Sequence, residues 1–289
     1  MKVDLVMWTK NGSKTLRPVL NRINRVIPKD AINRKIIVDD NSSDKTRNIS
    51  EDCGWIVVPN KGSGISDGAN TALRLVETEY FCSFEQDLLL DPKWWARVHK
   101  LILEPRVAAA SGLRFCPNQN PISKLELHAY LAEMNRSPKG IDSLDQSRWG
   151  RTLDNTIYRT ELIRQCGGFP KVKVSGVDAL LAWIVKARGY DWVVDATVQS
   201  LHIRSGFKDS LEHQYMYSKT YAEVYGKAKQ LTGLEYPELL NSKMLIKKLI
   251  RSPFAGLILS VKYNEPKLSA YLPLLQIADL GGFLRGKSN

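Results

Sequence analysis

The stretch YFCSFEQDLLLD, Tyr80 to Asp91, joins an apolar run to an acidic pair. Tyr80, Phe81 and Cys82 open a segment with the character of a buried strand. Glu85 and Asp87 follow with only Gln86 between them. On an extended backbone, side chains two apart share a face, so both carboxylates project the same way and repel unless something positive lies between them. A divalent cation is one candidate.

Three earlier runs have the same form: VDLVMW (Val3 to Trp8), KIIVDD (Lys35 to Asp40) and GWIVVP (Gly54 to Pro59). Helical patterns separate them, TLRPVLNRINRVI (Thr15 to Ile27) and GANTALRLVET (Gly68 to Thr78). The alternation predicts an α/β fold with a mostly parallel sheet flanked by helices. Ligands of such sheets bind at the carboxyl ends of the strands. Those ends carry Thr9, Lys10, Asn11 and Gly12 after the first run, Asp39 and Asp40 after the second, and Glu85 with Asp87 after the fourth. No GxGxxG follows the first run, which argues against a dinucleotide-binding oxidoreductase.

Further along, VAAASGLRF (Val107 to Phe115) reads as a strand, and the polar stretch Asn135 to Asn155 reads as loops or a lid. Regular structure returns with TIYRTELIRQCGGF (Thr156 to Phe169) and with DALLAWIVKARGYDWVVDA (Asp178 to Ala196), a helix closed by Gly189 and followed by a strand. Asp178 opens that helix, where an isolated Asp would ordinarily be a cap. His202, beside Arg204, follows the strand and is a candidate ligand for a metal or a diphosphate.

From Ser242 the chain changes character. SKMLIKKLIRSPFAGLILSVKY places Leu245, Ile246, Leu249 and Ile250 at helical spacing on one face, with Lys243, Lys247, Lys248 and Arg251 largely elsewhere. Neither this segment nor LSAYLPLLQIADLGGFL contains the ~20 uninterrupted apolar residues needed to span a bilayer. The expectation is a C-terminal amphipathic helical extension, residues 233–289, lying in a membrane interface beside a catalytic domain of residues 1–232.

The 289 residues, 43% of them hydrophobic and 25% charged, suit a folded chain with a sizeable core. Cys53, Cys82, Cys116 and Cys166 lie far apart without zinc spacing, as small apolar residues in a reducing compartment do. The opening MKVDLVMWTK has neither a signal peptide nor a span, so the expected location is the cytoplasm, peripheral at the cytoplasmic membrane face. A net charge of +12 and a pI near 9.5 imply an anionic partner. Nucleic acid is the less favoured one, because the basic residues are dispersed and no RNP or zinc-finger pattern occurs.

MWTKNGSKTL, IIVDDNSSDKT, FEQD, IYRTELIRQCGGF and GVDALLAWIVKARGYDWVVDATVQSLH together resemble, in order and approximate spacing over residues 1 to 205, the inverting glycosyltransferases of family 2, which have the Rossmann-like GT-A fold. The resemblance implies a nucleotide-sugar donor, UDP- or GDP-linked, with Thr9, Asn11 and Asp40 around the nucleoside and Glu85 facing the ribose. Asp39, Ser66, Gln86 and Arg204 are expected to contribute to the same donor site. Asp87 would bind Mg²⁺ or Mn²⁺, His202 would sit at the metal or diphosphate, and Asp178 would be the general base. The acidic triplet begins with Glu rather than Asp, Val177 stands where the family has Glu, and Ala69 precedes Asn70 where an Arg is common. The expected acceptor is a lipid-linked saccharide or polyprenyl phosphate. A nucleotidyltransferase of similar fold is the alternative, although TKNGSKTL is a poor phosphate loop.

Overall fold

The computed structural model describes residues 1–115, 121, 124–125, 128–129, 151–172, 175–203, 206–233 and 241–287. The first half follows the predicted alternation: β1 (Val3–Thr9), α1 (Leu16–Val26), β2 (Ile32–Asp39), α2 (Thr46–Asp52), β3 (Ile56–Pro59), α3 (Gly64–Leu75) and β4 (Tyr80–Phe84). Then come β5 (Leu88–Leu89), α4 (Trp94–Leu101), β6 (Val107–Phe115), β7 (Asn155–Arg159), α5 (Thr160–Gln165), α6 (Val177–Ala187) and β8 (Asp191–His202). α3 starts earlier than GANTALRLVET suggests and stops at Leu75, after which Val76 is extended.

Among the described residues the sheet runs β3-β2-β1-β4-β7-β6-β8-β5. β1 pairs in parallel with both β2 and β4, so the chain reverses its direction of growth at β1 and the ends of β1, β2 and β4 form one rim. β7 breaks the parallel pattern in the interior of the sheet, inserting antiparallel between β4 and β6. β8 then runs parallel to β6, and β5 closes the edge antiparallel to β8.

β1 is buried along its whole length, as a central strand covered on both faces must be. Its alternate residues Val3, Leu5 and Met7 pack with Leu16, Val19, Leu20 and Ile23 of α1. The opposite face carries an aromatic group in which Trp8 meets Phe169 edge-on at 5.9 Å and Phe81 stacks on Tyr158 at 4.9 Å. The described part of the polar stretch, Arg151 to Asn155, is irregular up to Asp154 and enters β7 at Asn155, and it is packed into the first unit, not a solvated connection. Thr152, Asp154 and Asn155 are buried, and Asn155 accepts the Gly112 amide at 2.8 Å. Residues 135–150 of that stretch lie outside the described residues.

The chain divides into two compact units, residues 1–115, 133–171 and 177–203 in the first and residues 116–132, 172–176 and 204–289 in the second. The second unit holds α7 (Phe207–Thr232), α8 (Ser242–Lys262) and α9 (Leu268–Lys287). α7, which the sequence reading grouped with residues 1–232, clusters with the tail. A Cβ on Gly282 or Gly286 would strike the backbone carbonyl of Tyr215 or Lys219, so the glycines let α9 lie directly on α7. α8 tolerates Pro253 because the Ser252 hydroxyl donates to the Leu249 carbonyl at 2.7 Å, the acceptor that an amide at position 253 would have used. Its buried residues are Leu245, Ser252, Gly256 and Leu259, so Leu245 points inward whereas Ile246 and Ile250 are exposed. The expected sharing of one face by Leu245, Ile246, Leu249 and Ile250 is therefore corrected. No helix among the described residues is long and apolar enough to cross a membrane.

Candidate active site

The site grows from the rim formed by β1, β2 and β4. Beyond β1 the backbone turns through Asn11, whose φ is +50°, and Gly12. The Asn11 side chain accepts the Ser43 amide at 2.9 Å, while the Asn11 amide donates to the Ser42 hydroxyl at 2.9 Å. These bonds tie the β1 end to the β2 end. Gln86, next to β4, closes the third side: its Oε1 accepts the Lys10 amide at 3.1 Å and its Nε2 donates to the Lys10 carbonyl at 3.2 Å. Gly12 leaves room for this side chain, since a Cβ at that position would stand 2.5 Å from Gln86 Oε1.

Asp40 occupies the centre of this first group. Its carboxylate accepts the Gly64 amide at 3.2 Å and Asn60 Nδ2 at 2.9 Å, and pairs with Lys10 Nζ at 3.3 Å. Partial burial works against the charged form, but these hydrogen bonds outweigh it and hold the carboxyl below its ordinary range. Asp39 is turned inward, 2% exposed, and its Oδ2 accepts the Ser42 amide at 3.2 Å. Its Oδ1 and the Thr9 hydroxyl are both buried without a hydrogen-bond partner. Ser66 stands apart on α3, its buried hydroxyl donating to the Pro170 carbonyl at 3.0 Å.

A second group lies on the other side of Gln86. Leu88 pairs with His202 in the β5–β8 register, and the Ile203 amide donates to the Asp87 carbonyl at 2.8 Å. This pairing brings His202 Nε2 to 3.4 Å from Asp87 Oδ2. That separation is close to the ~3 Å edge spanned by two neighbouring ligands held 2.0–2.1 Å from an octahedral cation. Among the described residues no cluster of three or more His, Cys, Asp or Glu side chains surrounds such a point. A cation held by this pair would keep most of its coordination for water or ligand oxygens, the arrangement Mg²⁺ and Mn²⁺ favour at phosphate sites. Arg204 lies outside the described residues.

Glu85 and Asp178 face the same acidic environment. Asp178 sits in the first turn of α6, where its Oδ1 accepts the Ala179 amide at 2.8 Å. Both groups retain some solvent contact, yet enough protein crowds them to disfavour ionisation. For Glu85, burial raises the carboxyl well above its ordinary range, reinforced by the charges of Asp154, Asp87 and Asp178 and opposed by Arg114. For Asp178, burial again raises the carboxyl, the Ala179 amide and Arg114 oppose it, and Asp154 adds to it.

Arg114 and Asp154 were absent from the sequence reading. Asp154 is fully buried, takes a hydrogen bond from the Thr152 hydroxyl and stands 3.5 Å from Arg114 Nη1. The antiparallel register that pairs Ser111 with Thr156 carries Arg114 towards Asp154. Each residue ends or precedes a strand in the sequence, but their pairing depends on the reversed β7, which local pattern does not disclose.

A mostly parallel sheet with a switch point at β1, and polar groups gathered at its strand ends, is the GT-A arrangement. The chain belongs to glycosyl transferase family 2, whose family model matches residues 4–167, and is a glycosyltransferase. Solved structures share the fold. A mannosyltransferase from Pyrobaculum calidifontis in complex with GDP-Man and Mn²⁺ is 18% identical, with 96% of this chain and 87% of that chain covered and a TM-score of 0.63. Glucosyl-3-phosphoglycerate synthase from Mycobacterium tuberculosis, in complex with Mn²⁺, UDP and phosphoglyceric acid, is 15% identical, with 78% of each chain covered and a TM-score of 0.59. TarS from S. aureus in complex with UDP-GlcNAc is 16% identical, with 98% of this chain and 89% of that chain covered and a TM-score of 0.55. No significant match occurs among curated protein sequences.

Proposed function

We propose that the protein transfers a hexosyl group, with inversion, from a nucleoside diphosphate sugar to a lipid-linked saccharide or polyprenyl phosphate. The observation that carries the reading is the division of carboxylates: Asp40 on the hydrogen-bonded rim, Asp87 against His202, and Asp178 alone on α6. Asp40, with Thr9 and Asn11 beside it, would take the base, since a carboxylate accepts the imide hydrogen of uracil or the N1 and N2 hydrogens of guanine. Glu85 would face the ribose. Asp87 and His202 would hold Mg²⁺ or Mn²⁺, which when bound offsets negative charge developing on a leaving diphosphate.

Asp178 would accept the proton of the attacking hydroxyl. Its carboxyl, raised by burial, lies nearer neutral pH than a free aspartate and is the stronger base for it, while Arg114 keeps the ionised form accessible. Attack from one side of the anomeric carbon and departure of the nucleotide from the other inverts its configuration. The lipid acceptor is supported by the net charge of +12 and by the exposed apolar residues of α8.

A thermal-shift panel of UDP, GDP and other nucleotides, each with and without Mn²⁺ or Mg²⁺, tests the donor site. Stabilisation by one nucleoside diphosphate that requires the metal is expected, and its loss in Asp87→Asn. Release of inorganic diphosphate in place of nucleoside diphosphate from a bound nucleotide sugar would transfer the assignment to a nucleotidyltransferase.

A further inference from the structure

In the second unit, α8 turns two faces in opposite directions. Leu245, Ser252, Gly256 and Leu259 are buried, and Leu259 shares a small core with Leu268 and Leu125. The opposite face carries Ile246, Ile250, Phe254, Leu257, Ile258 and Val261, all exposed. Ile250 is 73%, Phe254 71% and Val261 84% exposed, so the most apolar positions are the most open ones. At 100° per residue these six occupy roughly a third of the helix circumference, centred opposite the buried stripe.

The charge on this helix is one-sided as well. Ser242–Lys262 contains Lys243, Lys247, Lys248, Arg251 and Lys262 and no Asp or Glu. All five basic residues are exposed, and Lys247, Arg251 and Lys262 follow one another along one margin of the apolar stripe. We propose that this face of α8 docks in the plane of an anionic lipid surface, its six apolar side chains entering the acyl boundary and its basic margin meeting the headgroups. A second copy of the chain is the poorer occupant: a two-fold contact would set two wholly basic helices against each other with no carboxylate on either to pair them. Nucleic acid would match the charge and leave the apolar stripe uncovered. The docking gives the proposed lipid-linked acceptor a surface to be drawn from, and rests on that reading only for its biological sense.

Flotation of the full-length protein with vesicles of phosphatidylcholine, alone or mixed with phosphatidylglycerol, tests the surface. Recovery with the mixed vesicles only is expected. Lys247→Gln and Arg251→Gln should each weaken binding about fivefold, the equivalent of ~1 kcal/mol per charge, and Ile250→Ser with Phe254→Ser should abolish it. Because all four side chains are exposed, circular dichroism and the nucleotide thermal shift should be unchanged, which separates failure of docking from failure of the donor site. Equal recovery of the apolar double variant and the unaltered protein overturns the proposal. So does a protein that ignores both vesicle types and sediments as a dimer that the same two substitutions dissociate.

Discussion

Arg114 is the cation on which the acidic side of the site depends, and its removal has a calculable cost. Its guanidinium lies 3.5 Å from a carboxylate oxygen of Asp154, whose side chain is fully buried, while its own side chain is 19% exposed. Two unit charges at that distance attract by about 5 kcal/mol at an effective dielectric constant of about 20. Removing one member of a buried pair costs about 3–5 kcal/mol, because the remaining charge is left without compensation. Arg114→Gln is therefore expected to lose about 3–5 kcal/mol of stability at neutral pH in metal-free buffer, measured by urea denaturation followed through tryptophan fluorescence. The loss should depend on pH. Without Arg114 the folded-state carboxyl of Asp178, already raised by burial, rises further. A raised carboxyl favours the folded state only below the unfolded value near ~4, and that advantage disappears as pH climbs through the folded value. The part of the difference that comes through Asp178 should thus be small near pH 4 and grow as pH rises through its folded value, in addition to the part left by the unpaired Asp154. In turnover, the acidic limb of the kcat/KM profile should move to higher pH, because Asp178 must still be ionised to act as a base. Arg114→Lys, which keeps a charge, should recover part of both effects. A loss equal at pH 4 and pH 8 would show that Arg114 does not act on the Asp178 carboxyl and would refute that part of the account.

Asp178→Asn should lower kcat by about 10²–10⁴-fold with a hydroxyl acceptor while leaving donor KM nearly unchanged; turnover that survives the substitution identifies an acceptor already ionised, such as a phosphate. Gly12→Ala sets a Cβ 2.5 Å from Gln86 Oε1 and should break both Gln86 bonds to Lys10. The expected cost is about 1–3 kcal/mol in the urea midpoint, with weaker nucleotide binding by titration calorimetry, whereas an unchanged midpoint would mean that Gln86 swings aside freely. At the opposite end of β1, burial opposes ionisation of Asp4, but hydrogen bonds from Arg34, the Glu77 amide and Asn33 prevail and lower its carboxyl. Asp4→Asn should cost about 1–3 kcal/mol at neutral pH through its lost hydrogen bonds, since Arg34 keeps Glu77 as a partner. The penalty should fade as pH drops below ~4 towards the folded value, because the lowered carboxyl stabilises the fold only above its unfolded value.

By itself, the sequence determined the first half of the fold. Strands covered on both faces must be apolar throughout, so β1, β2 and β4 stand out as runs, and the polar residues that end them mark the ligand edge without knowledge of any long-range contact. Thr9, Asn11, Asp40 and Asp87 stand at or just past those strand ends, and Asp178 in the first turn of an apolar helix, so their positions follow from local pattern. The tertiary structure decided what those residues face. Arg114 and Asp154 are 40 positions apart and meet only because β7 enters antiparallel between β4 and β6. Ser66, expected at the donor site by resemblance, has its hydroxyl engaged by the Pro170 carbonyl, a contact 104 positions away in the chain. The same holds for α8, whose sequence is apolar around much of its circumference; packing in the second unit chose Leu245 and Leu259 for the core and left Ile250, Phe254 and Val261 outside. Periodicity reports that a residue is apolar or charged at a given spacing, whereas its partner is set by which distant segment closes against it, and that information is absent from any local window of the chain.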